Sequence, residues 1–321
     1  MKSINLCAWL FAAALTPAAA AAADNYPSRP ITLVVPYTPG SGIDIIARTF
    51  SPKMNEKLST PVVVDNRPGA SGNIGADHVA KSKPDGYTLM VNVNTFTITP
   101  SFYKDVTYDP ARDFTPISQV AIGKLALAVN AEKVPANTID EFLEYARKHA
   151  ASINYGSPGA GTPQHLAMEI IKKKLDLDLM HIPYKGAAGA STDLLGGQIQ
   201  AMVLPVHTAL SLAETKKIKI LAVSGDERVT EIPNVPSFKD LKMDDVDINM
   251  YYWVAGPANL DGKVVAKLDA LFKEIISMPD TIKTFEKQGL IPAYDKPENI
   301  REKIAADVKT WKAFVEENKL N

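Results

Sequence analysis

Short apolar, β-branched runs alternate with helical patterns twice along this chain, and that rhythm restricts the fold more than any single motif does. Residues 31–36 read as a strand, 43–58 as a helix and 62–66 as the next strand. A helix over 73–81 stops before the turn signal Pro84-Asp85-Gly86, and a strand over 88–93 follows. Such alternation implies a parallel sheet covered on both faces. The pattern restarts with strands at 124–130, 153–157 and 179–184, separated by helices over 139–148 and 163–174. Two more strands, at 199–204 and 218–223, flank a short helix at 208–214. Thr138 and Glu141 have capping-box spacing, and Thr162 sets a capping hydroxyl just before Pro163 at the first helical position.

The tail differs. Helices over 263–277 and 298–316 have no strand pattern between them, so they must cover a sheet built earlier. That predicts a discontinuous first lobe, residues 24–121 plus 227–321, around a second lobe of residues 122–226.

Lys2, an apolar run from Ile4 to Leu15 and the alanine tract up to Ala23 form a secretory signal peptide, which predicts a periplasmic protein cleaved near Ala23. The apolar run falls short of the roughly 20 residues that span a bilayer. Cys7, the single cysteine, lies within this segment, so the mature chain has neither thiol nor disulfide and depends on packing for stability. Removing 23 of the 321 residues leaves 298, enough for about two domains at roughly 150 residues each. The formal charge of −1 becomes −2 without Lys2, with both signs interspersed, which points away from nucleic acid.

Two segments share one design: a strand end, a glycine-rich loop with proline, and a helix start. The first holds Tyr37, Thr38, Pro39, Gly40, Ser41, Gly42, Ile43 and Asp44. The second holds Ser157, Pro158, Gly159, Ala160, Gly161, Thr162 and His165. Glycine permits sharp turns and close approach, and each helix start offers unpaired N–H groups at a positive dipole end, a combination suited to an anion. Each loop sits at the carboxyl end of its own sheet, so the two are expected to face each other across a cleft. Tyr184 and Lys185, at another strand end, are further candidates. A third glycine cluster, Asn66 to Asp77, lacks the lysine of a phosphate loop and the G-x-G-x-x-G order. It reads as a loop internal to the first lobe, its geometry fixed by Arg67 and Asn73. The five histidines show no metal-ligand spacing, and Ser41 is a poor match to a nucleophile elbow. No catalytic residue, metal or cofactor is expected.

The chain resembles periplasmic solute-binding proteins of the tripartite tricarboxylate transporter type, the Bug family. The resemblance runs through YPSRPITLVVPYTPGSGIDIIAR, VVVDNRPGASGNIGAD with KSKPDGYTL, INYGSPGAGTPQHLA, HIPYKGAAGASTDLLGGQIQAM and IKILAVSGDERVTEIPNVPSF. It implies a two-lobed, type II-like Venus-flytrap α/β fold, each lobe a mostly parallel sheet flanked by helices, with a carboxylate held between the two loops. Asn94 and Pro205 complete the candidate binding set. Where the family's first loop commonly has threonine this chain has Ile43, and where an Asp-Asn pair is common it has Leu204, Pro205 and Val206. Both changes predict a less polar pocket, favouring a dicarboxylate or aromatic acid over citrate or aspartate. The expected partners are the carboxylate and the membrane subunits of a transporter, or a sensor protein using the same cleft, with the chain itself a monomer. An exported hydrolase lacks both nucleophile and base in this reading.

Overall fold

The computed structural model of the protein describes residues 25–149, 152–243 and 249–320. The expected signal peptide, with Cys7 and the cleavage region near Ala23, lies outside them. In chain order the strands are β1 (Ile31–Val35), β2 (Val62–Asn66), β3 (Thr88–Val93), β4 (Phe114–Gly123), β5 (Leu125–Asn130), β6 (Asn154–Ser157), β7 (Met180–Pro183), β8 (Ala201–Pro205), β9 (Ile218–Val223), β10 (Met250–Pro257) and β11 (Leu290–Asp295). They form two sheets, ordered β11-β4-β10-β3-β1-β2 and β7-β6-β8-β5-β9. Helices flank both: α1 (Gly42–Leu58), α2 (Asn73–Ala80), α3 (Thr95–Ile98), α4 (Ile139–Lys148), α5 (Pro163–Leu175), α6 (Ala187–Gly196), α7 (Val206–Ala213), α8 (Gly262–Ile276), α9 (Pro279–Glu286) and α10 (Pro297–Glu317).

The two-lobed α/β architecture is the one expected, but the sheets are mixed rather than mostly parallel. In the first, β1 pairs parallel with β2 and β3, whereas β10 runs antiparallel to β3 and β4, and β11 antiparallel to β4. In the second, β6 pairs parallel with β7 and β8, and β5 is antiparallel to β8 and β9. The cause is the chain path. β4 leaves the first sheet at Gly123 and β5 opens the second at Leu125, with Lys124 alone between them. The chain returns as β10, inserted beside β4 in the opposite direction. β11 corrects the expectation that no strand lies between the tail helices, and β10 is a strand the sequence reading did not include.

Both ends of the chain meet in the first core. Along α1 the buried residues Ile43, Ile46, Ala47, Phe50 and Met54 follow helical spacing and form the face turned to the sheet. The Phe50 ring packs edge-on against Phe272 of α8 at 5.2 Å and Phe285 of α9 at 6.0 Å. On the other face, Ile300 and Ile304 of α10 join Phe96 and Trp253. The expected caps form at α4, where Thr138 Oγ1 accepts the Glu141 amide at 3.2 Å, and at α5, where Thr162 Oγ1 accepts that of His165 at 3.3 Å.

Phe50 thus ties the early helix to the late ones. Truncating it should cost about 3–5 kcal/mol, the usual range for a buried phenylalanine. Urea unfolding of Phe50→Ala against wild type checks this, and a loss below about 1 kcal/mol would contradict the packing.

Candidate functional site

The first glycine loop leaves the carboxyl end of β1. Thr38, Pro39 and Gly40 are exposed, and Ser41 and Gly42 lead into α1. Gly40 has φ +80°, a conformation costly for any other residue. Asp44, buried in the first turn of α1, holds the loop in shape. Its carboxylate accepts the Gly40 amide at 2.8 Å, Asn66 Nδ2 at 2.9 Å and Arg48 Nε at 2.8 Å. Burial opposes the charge, but the bonds from Arg48, Gly40 and Asn66 prevail and hold the carboxyl below its ordinary range. Ser41 Oγ caps the helix on the Asp44 amide at 3.4 Å. Ile43 turns its side chain into the first core, which corrects the expectation that it makes the pocket less polar.

The second loop follows β6. Ser157 is fully buried; its Oγ accepts the Gly159 amide at 3.2 Å and lies 2.7 Å from His181 Nε2. Thr162 donates its hydroxyl to Gly159 O at 2.8 Å, and His165 Nδ1 accepts the Gly161 amide at 3.2 Å, so that ring nitrogen carries no proton. Behind the loop, Tyr155, His181 and His165 stack as a column, with centroids 4.7 and 4.0 Å apart. Tyr155 donates to Glu169, which also pairs with Lys172 at 2.9 Å. Burial, with Lys172 adding to it, lowers the His165 pKa to about 4. Burial, then the adjacent His165, lowers His181 to about 3, Glu169 opposing and Lys172 adding. Both rings are neutral in the fold.

What spans the gap between the loops is the third glycine cluster, and this corrects its reading as internal to one lobe. Tyr37 of the first loop donates its hydroxyl to Ser71 O at 3.2 Å. Ser71 Oγ is 2.9 Å from the Tyr103 hydroxyl, and both oxygens lie 3.5 Å from Ala160 O of the second loop. Phe102 packs edge-on against His165 at 5.4 Å, and a β-carbon on Gly161 would meet its ring at 2.9 Å. Asn73 does fix the cluster, since its Oδ1 accepts from Thr99 and Tyr108, each at 2.7 Å. Arg67 instead pairs with Asp65 near the surface.

Other expected residues are distributed unevenly. Tyr184 donates its hydroxyl to Asp193 at 2.6 Å, and its ring packs near Gly156 and Gly189. Lys185 is exposed and Pro158 half-buried. Pro205 pairs with Leu125 in the β5–β8 ladder. Asn94 donates to Asn249 O at 3.0 Å, while its buried Oδ1 has no partner among the described residues. Sequence reasoning missed Ser71, Phe102, Tyr103 and His181, as well as Gln164, Met250 and Tyr252, which run together between the loops: Tyr252 OH and Gln164 Nε2 both approach Met250 Sδ, at 3.6 and 4.0 Å. The glycines at 69, 72 and 75 were the one signal that could have found Ser71. A separate cavity of about 500 Å³ opens beside the passage from β4 to β5, among Lys124, Glu227, Asn249 and Tyr251, and none of the loop residues lines it.

The amides of Gly42, Ile43 and Ala160 take part in none of the bonds that shape the loops. Those of Gly42 and Ile43 open α1 with its dipole behind them, and that of Ala160 lies two residues before the Thr162 cap of α5; amides so placed suit an anion. Two α/β lobes in contact through loops of both define a two-lobed periplasmic binding protein. The solved periplasmic binding protein BugD has the same architecture, with a TM-score of 0.82 and 29% identity over 92% of this chain and 99% of its own. The family model for the tripartite tricarboxylate transporter family receptor matches residues 46–320, and the chain belongs to that family, whose members are solute-binding proteins. Protein BugT of Bordetella pertussis is 30% identical over 96% of this chain and 95% of its own. Rpa4515 of R. palustris, solved with adipate, is 27% identical with a TM-score of 0.83, covering 91% of this chain and 97% of its own.

The neutral histidine column has a pH signature. Both imidazoles protonate in the unfolded chain below about 6.5 but resist protonation in the fold. Stability is therefore complete above that pH and is lost as the pH falls toward 4, by up to about 1.4 kcal/mol per pH unit for each histidine. Urea midpoints at pH 7 and pH 5 should fall further for wild type than for His181→Gln. An equal fall in both would contradict the neutral column.

Proposed function

We propose that the chain is an exported receptor that captures a small dicarboxylate between the loops at Tyr37–Asp44 and Ser157–His165 and delivers it to the membrane subunits of a tripartite tricarboxylate transporter. In this reading residues 24–121 plus 227–321 act as one lobe and 122–226 as the other, and the ligand sits where they close. The observation that carries it is the pair of glycine loops, one at the carboxyl end of β1 and one at that of β6, linked through Ser71. Backbone donors at two helix starts hold a carboxylate without a cation, and neither loop contains a lysine or arginine. The bound adipate of Rpa4515, an uncharged-chain dicarboxylate, supports that ligand class. Hydrolysis is a poorer reading. The serine–histidine pair at the second loop, Ser157 with His181 of β7, has a fully buried serine whose hydroxyl is spent on shaping the turn.

Thermal-shift screening of the mature protein against carboxylates of two to eight carbons, adipate included, tests capture. A ligand at 100 times its Kd should add about 2.7 kcal/mol of stability. No shift with any carboxylate would sink the proposal.

The manner of holding is tested separately by calorimetric titration. Gly159 has φ +150°, and a β-carbon there would lie 3.3 Å from Ser71 Oγ and 3.5 Å from Tyr184 O. Gly159→Val should therefore weaken binding by on the order of 100-fold, about 2.7 kcal/mol. Lys185→Ala should change it by less than about tenfold. Near-total loss in the lysine variant beside intact binding in the glycine variant would overturn the backbone cradle.

A further inference from the structure

Ser71 occupies a backbone position that favours glycine. Ala70 and Ser71 have φ of 47° and 54°, between Gly69 and Gly72 at 131° and 95°. Left-handed geometry at two successive residues with β-carbons costs free energy that glycine would not, and such strain marks positions where the side chain has a use. What serine adds is a hydroxyl. It points at the Tyr103 hydroxyl, 2.9 Å away, and across the cleft at Ala160 O, 3.5 Å away. The residue is braced from behind by Tyr37, and the approach is possible because Gly159 has no side chain.

We propose that Ser71 and Tyr103 are positioning residues for capture: as the lobes close they latch the carbonyl of Ala160, and so set how long a bound carboxylate stays. This rests on the capture reading above. The pair holds two hydroxyl protons. One bonds the two oxygens to each other, and the other is left for Ala160 O, which either residue can supply. At 3.5 Å those contacts are at the long limit; tightening by about 0.7 Å gives an ordinary O–H···O bond. A contact made between lobes that have met acts chiefly on the dissociation rate, and in the ligand-free protein it also draws the two lobes together. Phe102, against Gly161 and His165, keeps the second loop in register with the latch.

Stopped-flow dissociation of a carboxylate found by the thermal screen tests this in Ser71→Gly, Tyr103→Phe and the double variant. Because either hydroxyl can serve Ala160, each single change should speed dissociation by about twofold. The double change should speed it about tenfold, with association within twofold of wild type. Ser71→Gly relieves backbone strain, so its melting temperature should hold or rise even as dissociation quickens, which a merely structural serine would not produce. Ser71→Asn, polar and tolerant of left-handed geometry, should restore the slow rate. A double variant that binds and dissociates at the wild-type rate would overturn the latch. Small-angle scattering without ligand supplies an arm independent of capture: the double variant should have a larger radius of gyration than wild type. Should no carboxylate bind wild type, the capture reading fails on its own, and equal radii would then overturn the latch as well.

Discussion

The insertion of β10 between β3 and β4 is the constraint on which the rest of the molecule depends. It makes one sheet from the two ends of the chain, so the second lobe is held by two passages instead of one. Lys124 forms the first. At the second, Ser224 and Leu125 exchange bonds, the Leu125 amide reaching Ser224 Oγ at 2.8 Å and the Ser224 amide reaching Leu125 O at 2.7 Å; Ser224 Oγ also donates to Asn249 at 2.8 Å. Paired passages limit relative motion to bending about a common line, the hinge mode of ligand-closing proteins. Because β10 is central and carries the fully buried Trp253 and Val254, the hinge is anchored in the most stable part of the first lobe.

From that anchor the loops inherit their rigidity, each by different chemistry. The first is fixed by a buried carboxylate whose three donors come from its own loop, from α1 and from the end of β2. The second is fixed by neutral hydroxyl and imidazole acceptors backed by an aromatic column. A protonated imidazole could not accept the Gly161 amide at Nδ1, so the burial that keeps His165 neutral also preserves the turn.

The legible parts of this chain were those whose signal is local. The β1-α1-β2 and β6-α5-β7 units, their caps and both glycine loops follow from periodicity and turn chemistry, and they came within a residue or two of their observed limits. The tail strands were not legible. MYYWVAGP has no polar alternation because β10 is covered on both faces, and LIPAYD carries a proline tolerated only because β11 is an edge strand. Ser71 was missed for a different reason. Its role depends on Ala160, 89 positions later, and no spacing rule reports a contact made across lobes. Ile43 misled in the opposite way: a helix-start position next to the loop was read as pocket, whereas the α1 periodicity already directed it to the core.

Most loop donors are consumed in shaping the loops, and this moves the question of selectivity elsewhere. Gly40, Gly159 and Gly161 give their amides to Asp44, Ser157 and His165, so those glycines set the geometry and do not grip the ligand themselves. In the proposed capture, the amides of Gly42, Ile43 and Ala160 recognise a carboxylate head group and are blind to the remainder of the ligand. On that proposal, discrimination between one carboxylate and another comes from the side chains beside the loops. Tyr252, Met250 and Gln164 run from one lobe to the other there, a thioether flanked by one hydroxyl and one amide. All three are buried; in the proposed capture, neighbours of this kind offer few charge partners and an adaptable apolar centre, which favours a ligand whose second polar group lies at the end of a methylene chain over one crowded with charges. On the same proposal, preorganised loops bind the shared feature at low entropic cost, and the side chains beside them are left to choose among the molecules that carry it.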